Sequence, residues 1–499
     1  MAAVTLEDWQ KMRDGLSYRN QAFIDGKYVN SASGKTFECI SPIDGRLLVK
    51  VAECDKEDVN RAVIAARRAF ESGVWADQSP AARKAVMLKL ARLIRENEDE
   101  LALLETLDMG KPVTLAKAFD MNGVADSFQW FGEAIDKIYD EIAPLGNTAL
   151  GLITREPLGV IGAVVPWNFP LLMASWKLAP MLVSGNSVIL KPAEQSPLTA
   201  IRLAELAMEA GIPEGVLNVL PGYGETAGQA IGMHMDIDAV SFTGSTEVGK
   251  YFLQYSGKSN MKSISLECGG KTPNIVMKDA PNLDAAAQAA GMAIFFNSGQ
   301  VCIASSRLVV EESIKDEFLE KVKAFGQAAM QPGDPLDPNT LMGTMVDKTQ
   351  TARVMGYIEA GQKEGATLYS GGKQVRQNTG GEYIEPTIFD NVKSNMKIAQ
   401  EEIFGPVLST LTFTNADDAV KIANDSVYGL FANLWTNDLT KAHKMARKIK
   451  AGTVTINNTN GNIQLMPFGG YKQSGIGRDG SLHAIDKYTQ LKSTHIQLD

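Results

Sequence analysis

At 499 residues, with 44% apolar and 21% charged side chains, the chain has the composition of a globular protein and is long enough for two or three packed units. A formal charge of -9 offers no broad basic surface to phosphate backbones, so nucleic-acid binding is not expected. The N-terminal sequence lacks the pattern of a secretory signal, and four cysteines in so long a chain do not suggest a disulfide framework, so we expect a cytoplasmic protein.

The first part of the chain changes from strand-like to helical patterning. Between residues 23 and 51, short apolar runs alternate with turn pairs such as Asp25-Gly26 and Asp44-Gly45, which predicts hairpin strands. From residue 56 to residue 108, apolar residues recur at helical spacing in a charged background. This region predicts two amphipathic helices.

An uncharged run from residue 158 to residue 176 has nearly the length of a membrane span. It contains Pro166, Asn168 and Pro170 in close succession, so it predicts a buried strand followed by a turn. No membrane association is expected.

Beyond residue 158, apolar runs alternate with helical stretches. The pattern predicts strands at 160–165, 187–190, 216–219 and 239–242 with a helix at 200–209, and then a strand at 274–276, a helix at 283–296 and a strand at 307–310. Such alternation is typical of parallel sheets with crossover helices. We expect a second α/β unit to begin after a compact turn at Gly269-Gly270.

The segment before Cys302 is a candidate for nucleophilic chemistry. Residues 295–302 end an apolar helical run at Gly299 and then present a thiol, which suits an accessible nucleophile. A single cysteine in apolar surroundings is more often inert packing. The segment alone leaves both interpretations open.

Glu267 directly precedes Cys268 and two glycines, which allow close approach of a ligand to the backbone. Glu267 is a candidate general base, although a solvated acid at a strand end is an equally good interpretation. Neighbouring side chains in an extended segment point to opposite faces. If Glu267 faces a site, Cys268 should face away from it.

Asn168 lies between Pro166 and Pro170, directly after the predicted strand at 160–165. An amide held between prolines is a rigid donor of the kind that an oxyanion hole requires. A helix-capping asparagine is the alternative.

Two further segments suit a dinucleotide. Lys191 and Glu194 follow an apolar strand, where they could hold ribose hydroxyls, and Glu194 would repel a 2′-phosphate; an ordinary salt bridge is the alternative. Residues 242–249 open a helix after a strand, so their N–H groups could face a pyrophosphate, although Gly244 and Gly249 do not form the usual glycine fingerprint. Glu402, near Phe404, is a second carboxylate candidate or a solvated acid.

Together these segments resemble the aldehyde dehydrogenase superfamily, from about Phe23 to the C-terminus. The resemblance implies that Cys302 forms a thioester, that Glu267 is the general base, and that Asn168 and the Cys302 backbone N–H form the oxyanion hole. It implies NAD as cofactor and no metal. The cofactor contacts that it implies are Pro166, Trp167, Lys191, Glu194, Gly224, Phe242, Gly244, Ser245, Val248, Glu402 and Phe404.

The fold implied by the resemblance is α/β, with a Rossmann-like NAD-binding domain, an α/β catalytic domain and a β bridging element. The expected bounds are 1–138 and 160–268 for the first, 269–480 for the second, and 139–159 with 481–499 for the third. The bridging strand, paired with the C-terminal strand near residues 494–498, would leave an open edge in a monomer. A homodimer or homotetramer is therefore expected.

Within the superfamily the chain is most similar to bacterial enzymes of polyamine catabolism, which act on γ-glutamyl-γ-aminobutyraldehyde, 4-guanidinobutyraldehyde and related aminoaldehydes. Residues 103–111 and 132–139 carry this closer likeness, and the polar loop 458–464 suits polar substrates. Asp120 could pair with a cationic tail or be a solvated helix acid. The substrate contacts implied are Asp120, Phe169, Trp176, Val301, Ile303, Asn462 and Phe468.

Several alternatives remain. A betaine-aldehyde or broad aliphatic aldehyde dehydrogenase would share the same motifs. A CoA-acylating enzyme would not need Glu267, and a catalytically silent fold would not need Cys302, Glu267 and Asn168 together. A metal hydrolase is disfavoured because the histidines show no ligand spacing. Cys268 departs from the superfamily, which more often has leucine there, and adds an oxidisable thiol.

Overall fold

The computed structural model describes residues 4–461 and 464–498. Within these residues no helix is long and apolar enough to cross a bilayer. The elements up to residue 134 are helix α1 (Leu6–Asp14), strands β1 (Ala22–Ile24), β2 (Lys27–Val29), β3 (Thr36–Ile40) and β4 (Leu47–Ala52), and helices α2 (Lys56–Glu71), α3 (Pro80–Glu96), α4 (Glu98–Met109), α5 (Val113–Leu115) and α6 (Asn122–Ala134). The predicted hairpin strands are present, since β1 pairs with β2 and β3 with β4.

The prediction of two helices between residues 56 and 108 is wrong, because three are present. Asn97 ends α3 with a non-helical φ of -113° and ψ of 19°, and its side-chain amide donates to the Leu93 carbonyl at 2.8 Å. Helix α4 begins at the next residue and carries Glu105 and Asp108 into the interior. A wide, π-helical turn at Ala116–Met121 then leads into α6.

The bridging element is a three-stranded antiparallel sheet. Strands β5 (Glu141–Ala143) and β6 (Ala149–Pro157) come from the middle of the chain. The last strand of the chain, β22 (Thr489–Gln497), pairs with β6 along its whole length, from Thr489 opposite Pro157 to Gln497 opposite Ala149. The structure thus joins the two segments that the resemblance brought together.

The first large sheet has eight strands in the order β2-β1-β9-β8-β7-β10-β11-β21, where β21 is the short strand Gly475–Ile476. Its five central strands, from β9 to β11 in that order, run parallel. Its apolar strands are buried on both faces by crossover helices, as the continuous apolar runs predict. The elements from residue 160 to residue 267 are β7 (Val160–Val164), α7 (Pro170–Val183), β8 (Ser187–Lys191), α8 (Leu198–Ala210), β9 (Leu217–Val219), α9 (Gln229–Met233), β10 (Ala239–Thr243), α10 (Thr246–Lys258) and β11 (Ser263–Glu267).

The second large sheet has seven strands in the order β14-β17-β18-β13-β12-β19-β20, of which only β14 is antiparallel to its neighbour. The elements from residue 273 to residue 456 are β12 (Pro273–Val276), α11 (Leu283–Phe295), β13 (Arg307–Glu311), α12 (Lys315–Ala329), α13 (Lys348–Lys363), β14 (Thr367–Ser370), β15 (Gln374–Val375), β16 (Tyr383–Ile384), β17 (Thr387–Asp390), α14 (Lys397–Gln400), β18 (Val407–Phe413), α15 (Ala416–Asn424), β19 (Phe431–Trp435), α16 (Leu439–Lys448) and β20 (Thr453–Ile456). Here β15 and β16 pair with each other outside the sheet.

One strand departs from the expected domain bounds. Strand β21 (Gly475–Ile476) lies within the range assigned to the catalytic domain but pairs with β11 of the first sheet, with Gly475 opposite Glu267. Helix α17 (His483–Asp486) then leads into β22. Residues 475–476 therefore contribute to the first sheet, and they lie beside the carboxyl end of β11.

Candidate active site

A cavity of about 400 Å³ lies between the carboxyl ends of β7, β10 and β11 of the first large sheet and the segments that precede β13, β18 and β19 of the second. This is the usual position of ligand sites in open α/β sheets. Many of the residues selected from the sequence line it together. They are Cys302, Glu267, Asn168, Pro166, Trp167, Gly244, Ser245, Glu402, Phe404, Phe169, Trp176, Val301, Ile303 and Phe468.

The loop that carries Cys302 is held in an unusual backbone conformation. After α11, Asn297, Ser298 and Gly299 have φ angles of 50°, 55° and 73°. A Cβ atom at Gly299 would lie 2.1 Å from the carbonyl oxygen of Gly405, so only glycine fits there. The sequence indicated Gly299, but it did not indicate the left-handed residues before it.

Gln300 anchors this loop to the segment from Thr344 to Val346. Its side-chain amide, which is completely buried, donates to the carbonyls of Asn297 and Thr344, each at 3.1 Å, and its Oε1 accepts from the Val346 N–H at 2.9 Å. A buried amide with its hydrogen bonds satisfied fixes its surroundings. The half-buried Cys302, two residues later, is therefore presented to the cavity on a rigid loop.

The environment of Cys302 favours the neutral thiol. Burial raises its pKa to about 12, and the nearby carboxylates of Glu402 and Glu267 act in the same direction. Hydrogen bonds from the backbone N–H groups of Ile303 and Cys302 oppose this shift. A nucleophilic role for this thiol would therefore require the loss of its proton.

Asn168 is held from two sides. Its side-chain Nδ2 donates to the Gln300 carbonyl at 2.8 Å, and its own carbonyl accepts from Nδ2 of Asn297 at 3.0 Å. The residue is buried and does not make a side-chain cap on α7. Of the two interpretations of Asn168, the structure favours the donor beside the Cys302 loop.

Glu267 ends β11 and is buried at the cavity. Within the described part of the chain, neither carboxylate oxygen has a hydrogen-bond partner. Burial raises its pKa well above the usual value, Asp479 adds to this, and Lys487 and Lys177 oppose it. Asp479 accepts from Nζ of Lys177 at 3.2 Å and from Lys487, so a buried ion cluster that the sequence did not indicate controls the charge near Glu267.

Cys268 faces away from the reaction centre, as the alternation of strand side chains predicts. Its Sγ lies 2.8 Å from the position that a Cβ on Gly249 of α10 would occupy, within the apolar core of the first sheet. Burial raises its pKa to about 12, which keeps the thiol neutral.

Six of the cofactor residues selected from the sequence line the cavity. Ser245 caps α10 by accepting from the Val248 N–H at 3.2 Å, which leaves the start of that helix beside the cavity. The rings of Trp167 and Phe404 meet edge to face at 5.2 Å. Oε1 of Glu402 accepts from the Gly270 N–H at 3.0 Å, and burial raises the pKa of Glu402 to about 7.

The other cofactor residues lie off the cavity. Lys191 ends β8, with its buried Nζ 3.6 Å from the half-buried carboxylate of Glu194. A Cβ at Gly224 would meet no atom within 4 Å, so there is open space beside the turn that begins there. Val248 is exposed in the first turn of α10. Lys191, Glu194 and Gly224 share the carboxyl edge of the first sheet, which is where an adenosine half would lie.

The side chain of Phe242, an expected cofactor contact, does not line the cavity. Its ring is buried against Phe252 with centroids 5.0 Å apart, and it fills the space beneath Gly244. Phe242 therefore supports the turn at Gly244 from the core.

The substrate side of the cavity is a wall of aromatic rings. Phe169 and Trp176 belong to it, as expected, and Trp176 meets Phe468 at 5.4 Å. The sequence did not indicate Phe119 and Phe296, whose rings lie 5.6 Å apart. The other wall residues that the sequence did not indicate are Leu172, Met173 and Met292.

The interpretation of Asp120 as a substrate contact is wrong. Its carboxylate is completely buried, does not line the cavity and pairs with Lys111. The turn at Ala116–Met121 directs Phe119 to the wall and Asp120 into the interior. Asn462, another expected contact, lies outside the described residues.

The residues present fit NAD. Ser245 and Gly244 offer a helix start for phosphates, Lys191 and Glu194 offer a cation and an acceptor for ribose hydroxyls, and Glu402 and Phe404 close the end near Cys302. The cavity then has room for an aldehyde between Cys302 and the aromatic wall.

Comparisons with known proteins agree with this geometry. A model of the aldehyde dehydrogenase family matches residues 28–494. The NADP/NAD-dependent aldehyde dehydrogenase PuuC of Escherichia coli is 51% identical over 492 residues, covering 98% of each chain. A γ-glutamyl-γ-aminobutyraldehyde dehydrogenase of Burkholderia cenocepacia has a TM-score of 0.97 at 56% identity, covering 99% of this chain and 100% of its own. A mutant of the P. syringae AldA indole-3-acetaldehyde dehydrogenase, in complex with NAD+ and IAA, has a TM-score of 0.98 at 58% identity with the same coverage.

Proposed function

The chain belongs to the aldehyde dehydrogenase family and is an NAD-dependent oxidoreductase, and we propose that Cys302, Glu267 and Asn168 carry its reaction. The observation that carries this proposal is that a thiol, an unpartnered buried carboxylate and a fixed amide line one cavity. The family and the fold predicted from the sequence are confirmed.

The first step is addition of sulfur to the aldehyde. Cys302 Sγ releases its proton to solvent and attacks the carbonyl carbon, the carbon–oxygen π bond opens, and the oxygen becomes an oxyanion. The side-chain amide of Asn168 and the backbone N–H of Cys302 hold that oxyanion. When bound, NAD supplies the hydride acceptor, so that one aldehyde, one NAD+ and one water give one carboxylic acid, one NADH and one proton.

The second step is hydrolysis of the thioester on Cys302. Glu267 takes a proton from water, the resulting hydroxide attacks the acyl carbon, and the carbon–sulfur bond breaks to return the thiolate. The buried position of Glu267 raises its pKa and makes it a stronger base once it is ionised. A CoA-acylating enzyme would not need this carboxylate, so its place in the cavity favours release of the acid.

We propose that the cofactor lies along the carboxyl edge of the first sheet. Lys191 and Glu194 hold the adenosine ribose, with Gly224 and Val248 beside it. Gly244 and Ser245 hold the pyrophosphate, and Glu402 and Phe404 lie against the nicotinamide, with Pro166 and Trp167 lining the cleft. The acidic Glu194 disfavours the 2′-phosphate of NADP.

For the aldehyde, we propose an ω-amino, guanidino or γ-glutamylamino substrate. The exposed ring of Phe119 and the rings of Phe169 and Phe296 can hold a cationic tail by cation–π contacts. Thr459 and Asn460 add polar groups to the cavity lining. A relative named for γ-glutamyl-γ-aminobutyraldehyde supports this class, and betaine aldehyde would suit the same rings.

The wall also supports a second candidate, an aromatic aldehyde. The wall has five rings, from Phe119, Phe169, Trp176, Phe296 and Phe468, and an aromatic substrate could stack among them. The similarity to an indole-3-acetaldehyde dehydrogenase favours it.

A panel of aldehydes tests these proposals. We would compare kcat/KM for γ-glutamylamino, guanidino, betaine, aliphatic and indole aldehydes, with NADH formation as readout. The aldehyde with the highest value identifies the substrate class. We expect an aminoaldehyde to give the highest value. A higher value for the indole aldehyde would overturn that choice in favour of the second candidate, and absence of NADH with every aldehyde would indicate a silent fold.

We also propose a homodimer or homotetramer in the cytoplasm. Tyr139 and Ile142 are exposed near the β5 edge of the bridging sheet, and Leu491 is exposed on β22. Such apolar residues on a sheet with an open edge are typical of a subunit contact. The four cysteines are free thiols, which fits a reducing compartment.

A further inference from the structure

Three ionisable side chains are buried behind the aromatic wall. Lys111 Nζ donates to Oε1 of Glu105 at 3.3 Å and to the carboxylate of Asp120, and none of the three side chains is exposed. The amine and both carboxylates lie outside the cavity lining. A buried ion pair often stabilises a fold no more than apolar residues would, so the contacts of this group deserve a functional explanation.

The group contacts two residues at the start of α7, Phe169 and Leu171. Lys111 Nζ lies 3.9 Å from the ring centroid of Phe169, and Oε2 of Glu105 accepts from the Leu171 N–H at 3.4 Å. That N–H is one of the donors that a helix start leaves unpaired. The direction of α7, and with it the position of Asn168, is therefore tied to Glu105 and Lys111.

Asp120 ties the opposite side of the wall to the same amine. It follows Phe119, whose ring lines the cavity and lies 6.3 Å from that of Phe169. Because Lys111 bonds Asp120 and covers Phe169, one ammonium group holds the segments that carry both rings.

The turn before Lys111 also reaches the Cys302 loop. The Gly110 carbonyl accepts from the Thr344 N–H at 3.1 Å, and the Thr344 carbonyl accepts from Nε2 of Gln300 at 3.1 Å. Gln300 in turn accepts from Asn168. The buried group thus connects to Asn168 along two routes.

We propose that Glu105, Lys111 and Asp120 are positioning residues that hold the Asn168 amide and the Phe169 ring in the geometry that the developing oxyanion and the aldehyde require. They touch neither the substrate nor the reacting atoms. This inference rests on the proposed role of Asn168 as oxyanion donor.

Glu105→Gln tests the proposal with little change in volume. The two carboxylate oxygens of Glu105 accept from two different donors, Lys111 Nζ and the Leu171 N–H, whereas glutamine has one acceptor oxygen and must lose one contact. We expect the rate constant of the NADH burst to fall by about tenfold, since small misplacements of a catalytic group are costly, and the KM of a bulky aldehyde to rise. NAD affinity should not change.

A pair of lysine variants separates positioning from stability. Lys262 is another buried lysine, with Nζ bonded to the Gly232 carbonyl at 2.7 Å and to Ser259 Oγ at 2.8 Å, and it does not line the cavity. We expect Lys111→Met and Lys262→Met both to lower Tm, but only Lys111→Met to slow the burst per active site, counted by burst amplitude. An equal slowing in both variants would overturn the proposal.

Asn168→Ala distinguishes this inference from the function on which it rests. We expect it to slow the burst by about 10²-fold or more. If it does so while Glu105→Gln and Lys111→Met keep the wild-type burst rate constant and KM, the positioning role is wrong and the proposed reaction stands. If Asn168→Ala reacts at the wild-type rate, the oxyanion role itself fails.

Discussion

The reaction side of the cavity and its substrate wall are built in different ways. On the reaction side, Asn168 and the Cys302 loop are joined by directional hydrogen bonds from buried amides. The wall rings meet one another at centroid distances of 5.4 to 6.4 Å, through ring contacts rather than directional hydrogen bonds. We infer that the reaction side tolerates little change, whereas the wall can vary and alter substrate choice without loss of the chemistry.

The two sides also differ in charge. The carboxylates of Glu267 and Glu402 lie near Cys302, and Lys177 and Lys487 lie behind Glu267. The wall presents apolar side chains to the cavity. Substitutions on the reaction side should therefore change rate constants and pH profiles, and substitutions in the wall should change KM.

The largest expected effect is the loss of activity in Cys302→Ala. Without the sulfur no thioester forms, so NADH production should fall by at least about 10³-fold, measured with saturating aldehyde. NAD binding, measured by fluorescence titration, should survive. Cys268→Ala is the matched control, because that thiol faces the core, and it should keep most of the activity. A Cys302→Ala variant with near wild-type turnover would show that Cys302 is not the nucleophile, and the contrast between the reaction side and the wall would fail.

Glu267→Gln should separate the two chemical steps. Thioester formation precedes hydrolysis, so a burst of NADH should remain while steady-state turnover falls by about 10²-fold or more. Because burial raises the pKa of Glu267, its carboxyl group is protonated at low pH and must ionise to act as a base. Wild-type turnover should therefore rise with pH, and the glutamine variant should lose that part of the rise. A pH profile with the same rise in both proteins would assign the base elsewhere.

The two sides also differed in how far the sequence predicted them. Glu267 ends a strand, Asn168 lies two residues from each of two prolines, and Cys302 follows a glycine by three residues. Such local features are visible in a sequence. The wall is assembled from distant segments, so Phe119 and Phe296 could not be assigned to it from local patterning. Helical periodicity places residues on a helix but does not say what that helix packs against.

Asp120 shows this limit most clearly. The π-helical turn at Ala116–Met121 adds a residue relative to a regular helix, so side-chain directions there do not follow the 3.6-residue period. Its partner Lys111 lies nine residues away beyond the end of α4. The strands and crossover helices were predicted well because parallel sheets leave long apolar runs, whereas the two-residue strand β21 leaves no such signal.

In the wall, Phe468→Ala should change KM more than kcat. The ring is buried against Trp176, and its removal enlarges the cavity while the hydrogen bonds that join Asn168 and the Cys302 loop stay in place. We expect the KM of the preferred aldehyde to rise by about tenfold, in line with the loss of part of one aromatic contact, with kcat within about threefold of wild type. Phe468→Leu is the conservative control, and its KM should lie between that of wild type and that of Phe468→Ala. A large fall in kcat at unchanged KM would mean that the wall, like the reaction side, positions the reacting atoms.

The smallest expected effect is a change in cofactor preference in Glu194→Gln. Glu194 belongs neither to the reaction side nor to the wall of the aldehyde cavity. Its carboxylate is half-buried and 3.6 Å from Lys191, so removal of the charge leaves the lysine to attract a 2′-phosphate. We expect the ratio of kcat/KM for NADP to that for NAD to rise by about fivefold to tenfold, because an exposed charge is partly screened by solvent. The KM for aldehyde should stay the same, since Glu194 does not line that cavity. If the wild-type enzyme already used both cofactors equally, as the name of the E. coli relative allows for that protein, Glu194 would not be the selecting charge.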